Sequence, residues 1–267
     1  MRLVTYDRGG ARRLGAWVDG TVVDLPDAVG HPSFPTTMER LVEHTGGTIL
    51  DAAREILSRP DEASQFAVPG ARLLAPLLPR ALRESGQSDP PLVLGPDDQV
   101  PMPRSGSLGL QLELGCVIGT WGRNLGKREA EAAIFGYTLV NDWSISGRQN
   151  GRDGRAANPR AYVAFSFGPC IVTTDEFDRE DAPVEVRVGG RIRSKGTFKA
   201  VPSTFASLVA ESSRGQEVAP GDLYGSGPRA RTRTDLHPGA VVEVEAEGIG
   251  VLRTSVGHRA RSLARRR

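Results

Sequence analysis

Apolar and polar residues alternate in short runs along this chain, and the runs predict a protein built mainly from β-strands. The clearest runs cover residues 111–119, 184–188 and 240–246. A period of two is typical of a strand that buries one face and exposes the other.

Helical spacing of apolar residues is limited to three stretches. Parts of residues 36–59, residues 130–134 and residues 205–212 each place apolar side chains three or four positions apart, as a helix with one buried face requires. We therefore expect a mixed α+β fold, mostly β, with few helices.

The run at 111–119 carries polar side chains at alternate positions. Because side-chain direction reverses at every step of a strand, Gln111 and Glu113 would share one face, with head groups roughly 7 Å apart. Asp142, at the end of a second apolar run, could supply a third oxygen. Such an all-oxygen set suits a hard cation such as Mg²⁺ or Ca²⁺. Isolated residues of these types also commonly face solvent or cap turns, so spacing alone leaves both interpretations open.

These two segments resemble the core of the fumarylacetoacetate hydrolase (FAH) family. The family pattern is E-x-E-L-x-x-V-I-G followed by G-Y-x-x-x-N-D-x-S, and here the segments read QLELGCVIG at 111–119 and GYTLVNDWS at 136–144. Other pieces similar to the family follow in its order, at residues 1–6, 14–25, 167–172, 220–223, 237–245 and 248–252. On this order of motifs the chain is identified as a member of the family.

The resemblance implies a domain organisation. A small N-terminal domain would cover residues 1–70, and an FAH-like β-sandwich or roll domain would cover residues 71–258. Residues 259–267 contain five arginines and no acidic residue, which is typical of a disordered, solvated tail. Family members are commonly homodimers, so the resemblance implies a homodimer here.

The resemblance also implies a chemistry. Family members cleave or decarboxylate small 2,4-dioxo acids and related compounds, usually with Mg²⁺ or Mn²⁺, which stabilises an enolate. Carried over by position, the site comprises metal ligands Glu113, Asp142 and Gln111, catalytic groups Asp142, Gln149 and Arg160, and substrate contacts Gln111, Ser144, Arg148, Ser226 and Gly227.

The chain departs from the family pattern at several of these positions. Gln111 replaces a carboxylate, so the site loses a negative charge and we expect weaker metal binding, with dependence on the substrate's own oxygens. Ser146 and Gly147 stand where the family has Arg-Asp, and Pro159 stands where it has Lys. The neighbouring Arg160 could supply a cation, but a guanidinium cannot lose its proton to act as a base.

The family's water-activating His-Glu pair is not found. Residues 79–91, where it would lie, contain no histidine, and the chain's four histidines (His31, His44, His237 and His258) occupy no motif position. A hydrolase with the usual His base is therefore disfavoured, and decarboxylation, isomerisation or ring closure becomes relatively more favourable.

Two arginine-rich stretches, residues 147–160 and 229–233, flank the expected site. They could form a lid that clamps a substrate carboxylate or phosphate, or they could be solvated surface loops.

Composition narrows the partners and the location. The formal net charge is +2 over 267 residues. The arginines of residues 259–267 carry more positive charge than this total, so the rest of the chain is mildly acidic. With no patterned basic face or aromatic platform, a nucleic-acid partner is not expected. Without a long apolar run or a signal peptide, we expect a cytoplasmic protein and no membrane partner. Cys116 and Cys170 lie in apolar runs and are expected to be buried small hydrophobes.

Three functional hypotheses remain open. The first is a divergent FAH-family enzyme of hydrolase or lyase type, with a weakened metal site, that acts on a small oxo acid or β-dicarbonyl metabolite through an enolate. The second is a catalytically inactive relative that binds a ligand or a protein partner, and the third is a metal-free enzyme on the same fold. Retention of Glu113, Asn141, Asp142, Ser144 and Gln149 favours an enzyme, whereas the losses favour the inactive relative.

Overall fold

The computed structural model describes residues 1–44, 48–83, 92–103, 107–146, 161–179, 181–200, 204–226, 230–232 and 236–258. Within these ranges the strands are β1 (Arg2–Arg8), β2 (Ala11–Val18), β3 (Thr21–Asp24), β4 (Ala67–Val68), β5 (Leu73–Leu74), β6 (Leu82–Arg83), β7 (Leu92–Leu94), β8 (Gln99–Val100), β9 (Ser107–Ile118), β10 (Gly122–Arg123), β11 (Ile134–Ser146), β12 (Ala161–Thr173), β13 (Pro183–Val188), β14 (Arg191–Thr197), β15 (Glu217–Val218), β16 (Leu223–Gly225), β17 (Ala230–Thr232), β18 (Val241–Ala246) and β19 (Gly250–Val256). The α-helices are α1 (Leu25–Val29), α2 (Met38–Glu43), α3 (Thr48–Leu57), α4 (Pro60–Ala63), α5 (Lys127–Ala132) and α6 (Phe205–Ser212).

A large sheet forms the centre of the described structure. Its strands follow the order β4-β3-β2-β1-β12-β11-β9-β16-β6, and β5, β7 and β17 pair with β1, β12 and β9, respectively. Strand β1 pairs antiparallel with β12, so that Arg2 lies opposite Val172. The sheet therefore continues from the N-terminal strands into the strands that carry the motifs, and the domain boundary at residue 70 stays a prediction.

A second sheet, of order β14-β13-β18-β19-β8, packs against one face of the large sheet. Alternate residues of β13 and β18, such as Val186 and Val244, are buried in the same apolar cluster as Leu112 and Trp143. The alternation that the sequence shows at 184–188 and 240–246 thus turns one side of each strand into this core.

The opposite face of the large sheet is also covered. Met38 and Leu41 of α2 belong to a second buried cluster together with Val140, Phe165 and Phe167 of the central strands. Strands β9, β11 and β12 are therefore buried on both faces. A polar side chain on either face of these strands is removed from water and needs a partner or a ligand.

The observed elements confirm the mixed α+β, mostly β fold. Helix α6 has the predicted bounds, and residues 36–59 contain α2 and α3. The helix predicted at 130–134 begins earlier, at Lys127, and ends before Ile134, because Ile134 pairs with Ile118 and starts β11. In the described ranges, no helix is both long and apolar enough to span a membrane.

Both cysteines are buried, as predicted. Burial raises the pKa of the Cys116 thiol well above its ordinary value and that of Cys170 to about 12. Thiols held neutral in this way are poor nucleophiles, which fits packing roles for both residues. The basic tail at 259–267 lies outside the described residues.

Candidate functional site

The register between β9 and β11 brings the predicted ligands together. Gln111 lies directly opposite Asp142, and Glu113 lies opposite Val140. Because alternate residues of a strand share a face, and paired residues of adjacent strands do too, Gln111, Glu113 and Asp142 occupy one face of the sheet. All three side chains are buried, with 2%, 1% and 1% of their surfaces exposed.

A hydrogen bond joins two of these side chains. The Gln111 amide Nε2 donates to Asp142 Oδ2 at 2.8 Å. A carboxylate can only accept, so the Gln111 amide must turn its nitrogen towards Asp142. Its carbonyl oxygen, Oε1, is buried and accepts no hydrogen bond from any residue that the structure describes. The site therefore contains a buried acceptor available to a ligand.

Glycines lie at both ends of this row in β9, and the two ends are packed differently. At Gly115 a Cβ atom would lie 2.7 Å from Val140 Cγ2 and 3.0 Å from Leu223 Cδ1, so that end is tightly packed. Gly109 is partly exposed, and the nearest atoms to its Cβ position belong to Ser144, at 3.6 Å. Of the two ends, the Gly109 end is therefore the less tightly packed.

Ser144 and Ser226, both predicted to contact substrate, lie on different parts of the site. Ser144 follows Asp142 by two residues, is on the same face and is 4% exposed. Ser226 follows β16, where its N–H donates to Leu114 O at 2.8 Å and its Oγ accepts from the Leu114 N–H at 3.1 Å. The Ser226 hydroxyl thus helps to anchor β9, and its contact with substrate stays a prediction.

The other predicted site residues lie outside the described residues. They are Arg148, Gln149, Arg160 and Gly227, and most of the two arginine-rich stretches lies there as well. The backbone of residues 230–232 of the second stretch is described, and Arg231 of β17 pairs with Gln111 on the side of β9 away from β11.

Thr138 belongs to this face and was missed by the sequence interpretation. It precedes Val140 by two residues, is fully buried, and its Oγ1 has no hydrogen-bond partner among the described residues. The alternation of residues 138, 140, 142 and 144 could have placed it beside the ligands. Asn141 points to the opposite face, where its amide nitrogen and oxygen also find no partner in the described ranges.

The donor set fits a hard divalent cation. In the described part of the chain no three His, Cys, Asp or Glu side chains are grouped for a metal ion, because the third member of this set is the amide of Gln111. Two carboxylates and one amide oxygen are nevertheless ligands that Mg²⁺, Mn²⁺ and Ca²⁺ accept. The unpartnered Gln111 Oε1 is the structural observation that favours a cation here.

Histidine chemistry is not built into this face. All four histidines are exposed, and the hydrogen bonds that His31, His44 and His237 make are with residues one to four positions away in the chain. A buried general base on these strands would have to be a carboxylate.

Sequence comparisons find relatives over much of the chain. Residues 82–257 match the family described as fumarylacetoacetate (FAA) hydrolase C-terminal. An uncharacterized protein of Methanocaldococcus jannaschii is 33% identical over 162 residues, which are 60% of this chain and 67% of that protein. The 2,4-didehydro-3-deoxy-L-rhamnonate hydrolase of Sphingomonas sp. (strain SKA58) is 31% identical over 173 residues, 61% of this chain and 60% of that protein. The chain spans about half to two thirds of the length of the curated relatives it matches.

Solved structures share the fold almost end to end. Fumarylacetoacetate hydrolase from psychrophilic Exiguobacterium antarcticum has a TM-score of 0.74 at 26% identity, over 97% of this chain and 100% of that chain. Maleylpyruvate hydrolase from Sphingobium sp. SYK-6, solved in complex with manganese(II) ion and pyruvate, has a TM-score of 0.71 at 18% identity, with the same coverage of 97% and 100%.

Proposed function

Because the chain belongs to the fumarylacetoacetate hydrolase family, we propose that it is a divergent enzyme of that family. It acts on a small oxo acid or β-dicarbonyl metabolite through an enolate, by C–C cleavage, decarboxylation, isomerisation or cyclisation. The observation that carries the proposal is the convergence of Gln111, Glu113 and Asp142 on one buried face.

Glu113, Asp142 and the Oε1 atom of Gln111 would hold a divalent cation, Mg²⁺ or Mn²⁺. When bound, such an ion polarises the carbonyl of a 2-oxo acid and stabilises the negative charge of an enolate. Pyruvate, present with manganese(II) in the Sphingobium structure, is a 2-oxo acid, which supports this substrate class.

The chain's own residues supply binding and orientation. The face around Asp142 is closed at the Gly115 end by Val140 and Leu223, so water is excluded there and electrostatic interactions are strengthened. Ser144, beside the partly exposed Gly109, is proposed to donate a hydrogen bond to a substrate oxygen. Gln149 and Arg160 remain predicted catalytic groups, and Arg148 remains a predicted substrate contact.

The cation is expected to bind weakly without substrate. Gln111 leaves the ligand set with the two negative charges of Glu113 and Asp142, where a third carboxylate would add another. Calcium sites show that affinity depends on the number of ligand charges. The negatively charged oxygens of an oxalate-like substrate would complete the coordination of the ion.

The exposure of all four histidines supports a reaction that does not require a histidine base to activate water. Decarboxylation, isomerisation and ring closure meet that condition. A metal-free enzyme is the second candidate, favoured by the Gln111–Asp142 hydrogen bond, which connects the two side chains without a cation. The resemblance-based expectation of a homodimer is part of the proposal and is measurable by light scattering.

Calorimetric titration tests the metal proposal. Mn²⁺ or Mg²⁺ is titrated into the native protein, Gln111→Glu and Gln99→Glu, each with and without oxalate as an enolate mimic. We expect tight binding only with oxalate in the native protein, about tenfold or more tighter metal binding in Gln111→Glu, and native behaviour in Gln99→Glu, since Gln99 is exposed. If even Gln111→Glu ignores the metal, the metal chemistry must be abandoned.

Turnover tests the role of Asp142. A panel of 2-oxo and 2,4-dioxo acids is assayed with the native protein and with Asp142→Ala, which we expect to abolish turnover of whichever compound reacts. Unchanged turnover would remove Asp142 from the mechanism.

A further inference from the structure

We propose that Gln111 is a positioning residue, which holds the Asp142 carboxylate in place so that the site stays assembled without a bound cation. The inference rests on the proposed function only for the identity of the ligand that the site binds. The arrangement of the two side chains is a property of the ligand-free fold.

The geometry of the pair carries the proposal. Gln111 and Asp142 are directly opposite each other on β9 and β11, and their side chains meet in a 2.8 Å hydrogen bond. Both are almost completely buried. A hydrogen bond between an amide and a carboxylate at such a place is stronger than one between neutral groups, and it fixes the rotamers of both side chains.

A carboxylate at position 111 would behave differently. Two carboxylates at this separation in a buried position repel each other. In a site with Glu at 111, a bound cation would offset this repulsion. The amide replaces that repulsion with an attraction, at the cost of one ligand charge.

The bond also orients the amide. With Nε2 committed to Asp142, Gln111 presents Oε1 away from that carboxylate, and this buried oxygen has no described partner. Gln111 thus contributes twice to a preassembled site: it fixes one acceptor, Asp142, and provides a second. The half-formed site would be ready for a cation that arrives with its substrate.

A double-mutant cycle measured on chelator-treated protein tests this inference. The variants are Gln111→Glu, Asp142→Asn and the double variant Gln111→Glu/Asp142→Asn, in which donor and acceptor exchange strands. Gln99→Glu, the same chemical change at an exposed strand position, is the control. Melting temperatures are recorded at pH 8 without metal and again with excess Mn²⁺.

We expect Gln111→Glu to melt about 2–8 °C below the native protein without metal, the shift that about 1–2 kcal/mol gives in a chain of this size. Because the double variant again pairs one amide with one carboxylate, it should recover most of that loss. Mn²⁺ should raise the melting temperature of Gln111→Glu more than that of the native protein, which a purely structural role would not produce. Gln99→Glu should remain at the native value.

The proposal is overturned if metal-free Gln111→Glu is as stable as Gln99→Glu, or if the double variant is no more stable than Gln111→Glu. If Gln111→Glu cannot be purified, Gln111→Met decides: it removes the donor at similar volume, and unchanged stability contradicts the proposal. If none of these proteins binds metal but the metal-free melting temperatures differ as expected, the proposed function is rejected and this inference stands.

Discussion

Two buried aspartates of the same sheet are stabilised in different ways. Asp24, at the end of β3, accepts hydrogen bonds from Tyr6, Arg8 and Arg13, so cationic groups balance its charge. Asp142, in the middle of β11, accepts from the neutral amide of Gln111. Charged groups of the fold bind the first carboxylate, whereas the amide that binds the second is neutral.

The difference matches what surrounds each aspartate. Asp24 also caps helix α1, where its side chain accepts from the Asp27 N–H, and Asp27 itself pairs with Arg8 and Arg13. This cluster joins β1, β2, β3 and α1, and its acid–base balance indicates a structural role. Gln111 Oε1 beside Asp142 instead has no hydrogen-bond partner among the residues that the structure describes, which is typical of a ligand-binding site.

The largest effect is expected when Asp24 is removed, which should lower the stability of the fold without changing ligand binding at Asp142. Asp24→Ala removes the buried carboxylate that binds Tyr6, Arg8 and Arg13 and, among the described carboxylates, leaves Arg13 with only the more exposed Asp27. We expect a loss of about 3 kcal/mol in the free energy of unfolding, with Mn²⁺–oxalate binding unchanged. Chemical denaturation and calorimetry measure the two quantities. Asp27→Ala is the matched control, because Asp27 is 43% exposed and its loss should cost at most about 1 kcal/mol. Equal losses in both variants would contradict the structural role of Asp24.

A smaller effect is expected in the free energy of unfolding as the pH is lowered. Burial raises the pKa of Asp24, but hydrogen bonds from Arg13 and Tyr6 outweigh it and leave the pKa below its ordinary value. A carboxylate whose pKa is lowered by folding stabilises the protein above its unfolded pKa of about 3.9 and loses this contribution as the pH falls through the folded value.

The stability difference between the native protein and Asp24→Asn should therefore be largest near neutral pH and should shrink below about pH 4. Urea denaturation at a series of pH values measures it. A difference that is constant from pH 7 to pH 3 would show that the Asp24 charge is not the source of the stabilisation.

The smallest effect concerns the partner of Asp24. Burial and the hydrogen bond to Asp24 raise the pKa of Tyr6 to about 12, so its contribution to stability is complete below pH 10 and is lost as the pH rises towards 12. Tyr6→Phe should cost about 1 kcal/mol at pH 7. In a titration followed by absorbance at 295 nm, Tyr6→Phe should remove part of the tyrosine ionisation step near pH 12. Loss of amplitude near pH 10 instead would place Tyr6 in an ordinary environment.

The sequence predicts the local parts of this picture. Strand β9 and helix α6 follow from the periodicity of their own residues, and the shared face of Gln111 and Glu113 follows from alternation within one strand. The resemblance to the family brings Asp142 to the same site. Each of these inferences uses only neighbouring residues or a matching motif.

The pairing of distant residues could not be predicted in this way. Register decides that Gln111 faces Asp142 rather than Val140, and register depends on how two strands separated by α5 fit together in the whole sheet. The Asp24 cluster likewise joins residues from β1, β2 and β3 through their pairing, so no periodic pattern reveals it. The unpartnered oxygen of Gln111 is visible only once these contacts are known.

The account depends most on a cation held by Glu113 and Asp142. Crystals of the native protein grown with Mn²⁺ and oxalate, measured at a wavelength where manganese scatters anomalously, test that claim directly. We predict an anomalous peak within bonding distance, about 2.0–2.4 Å, of carboxylate oxygens from both residues, with oxalate completing the coordination. An anomalous map without a peak on this face, or with manganese bound elsewhere, would contradict it.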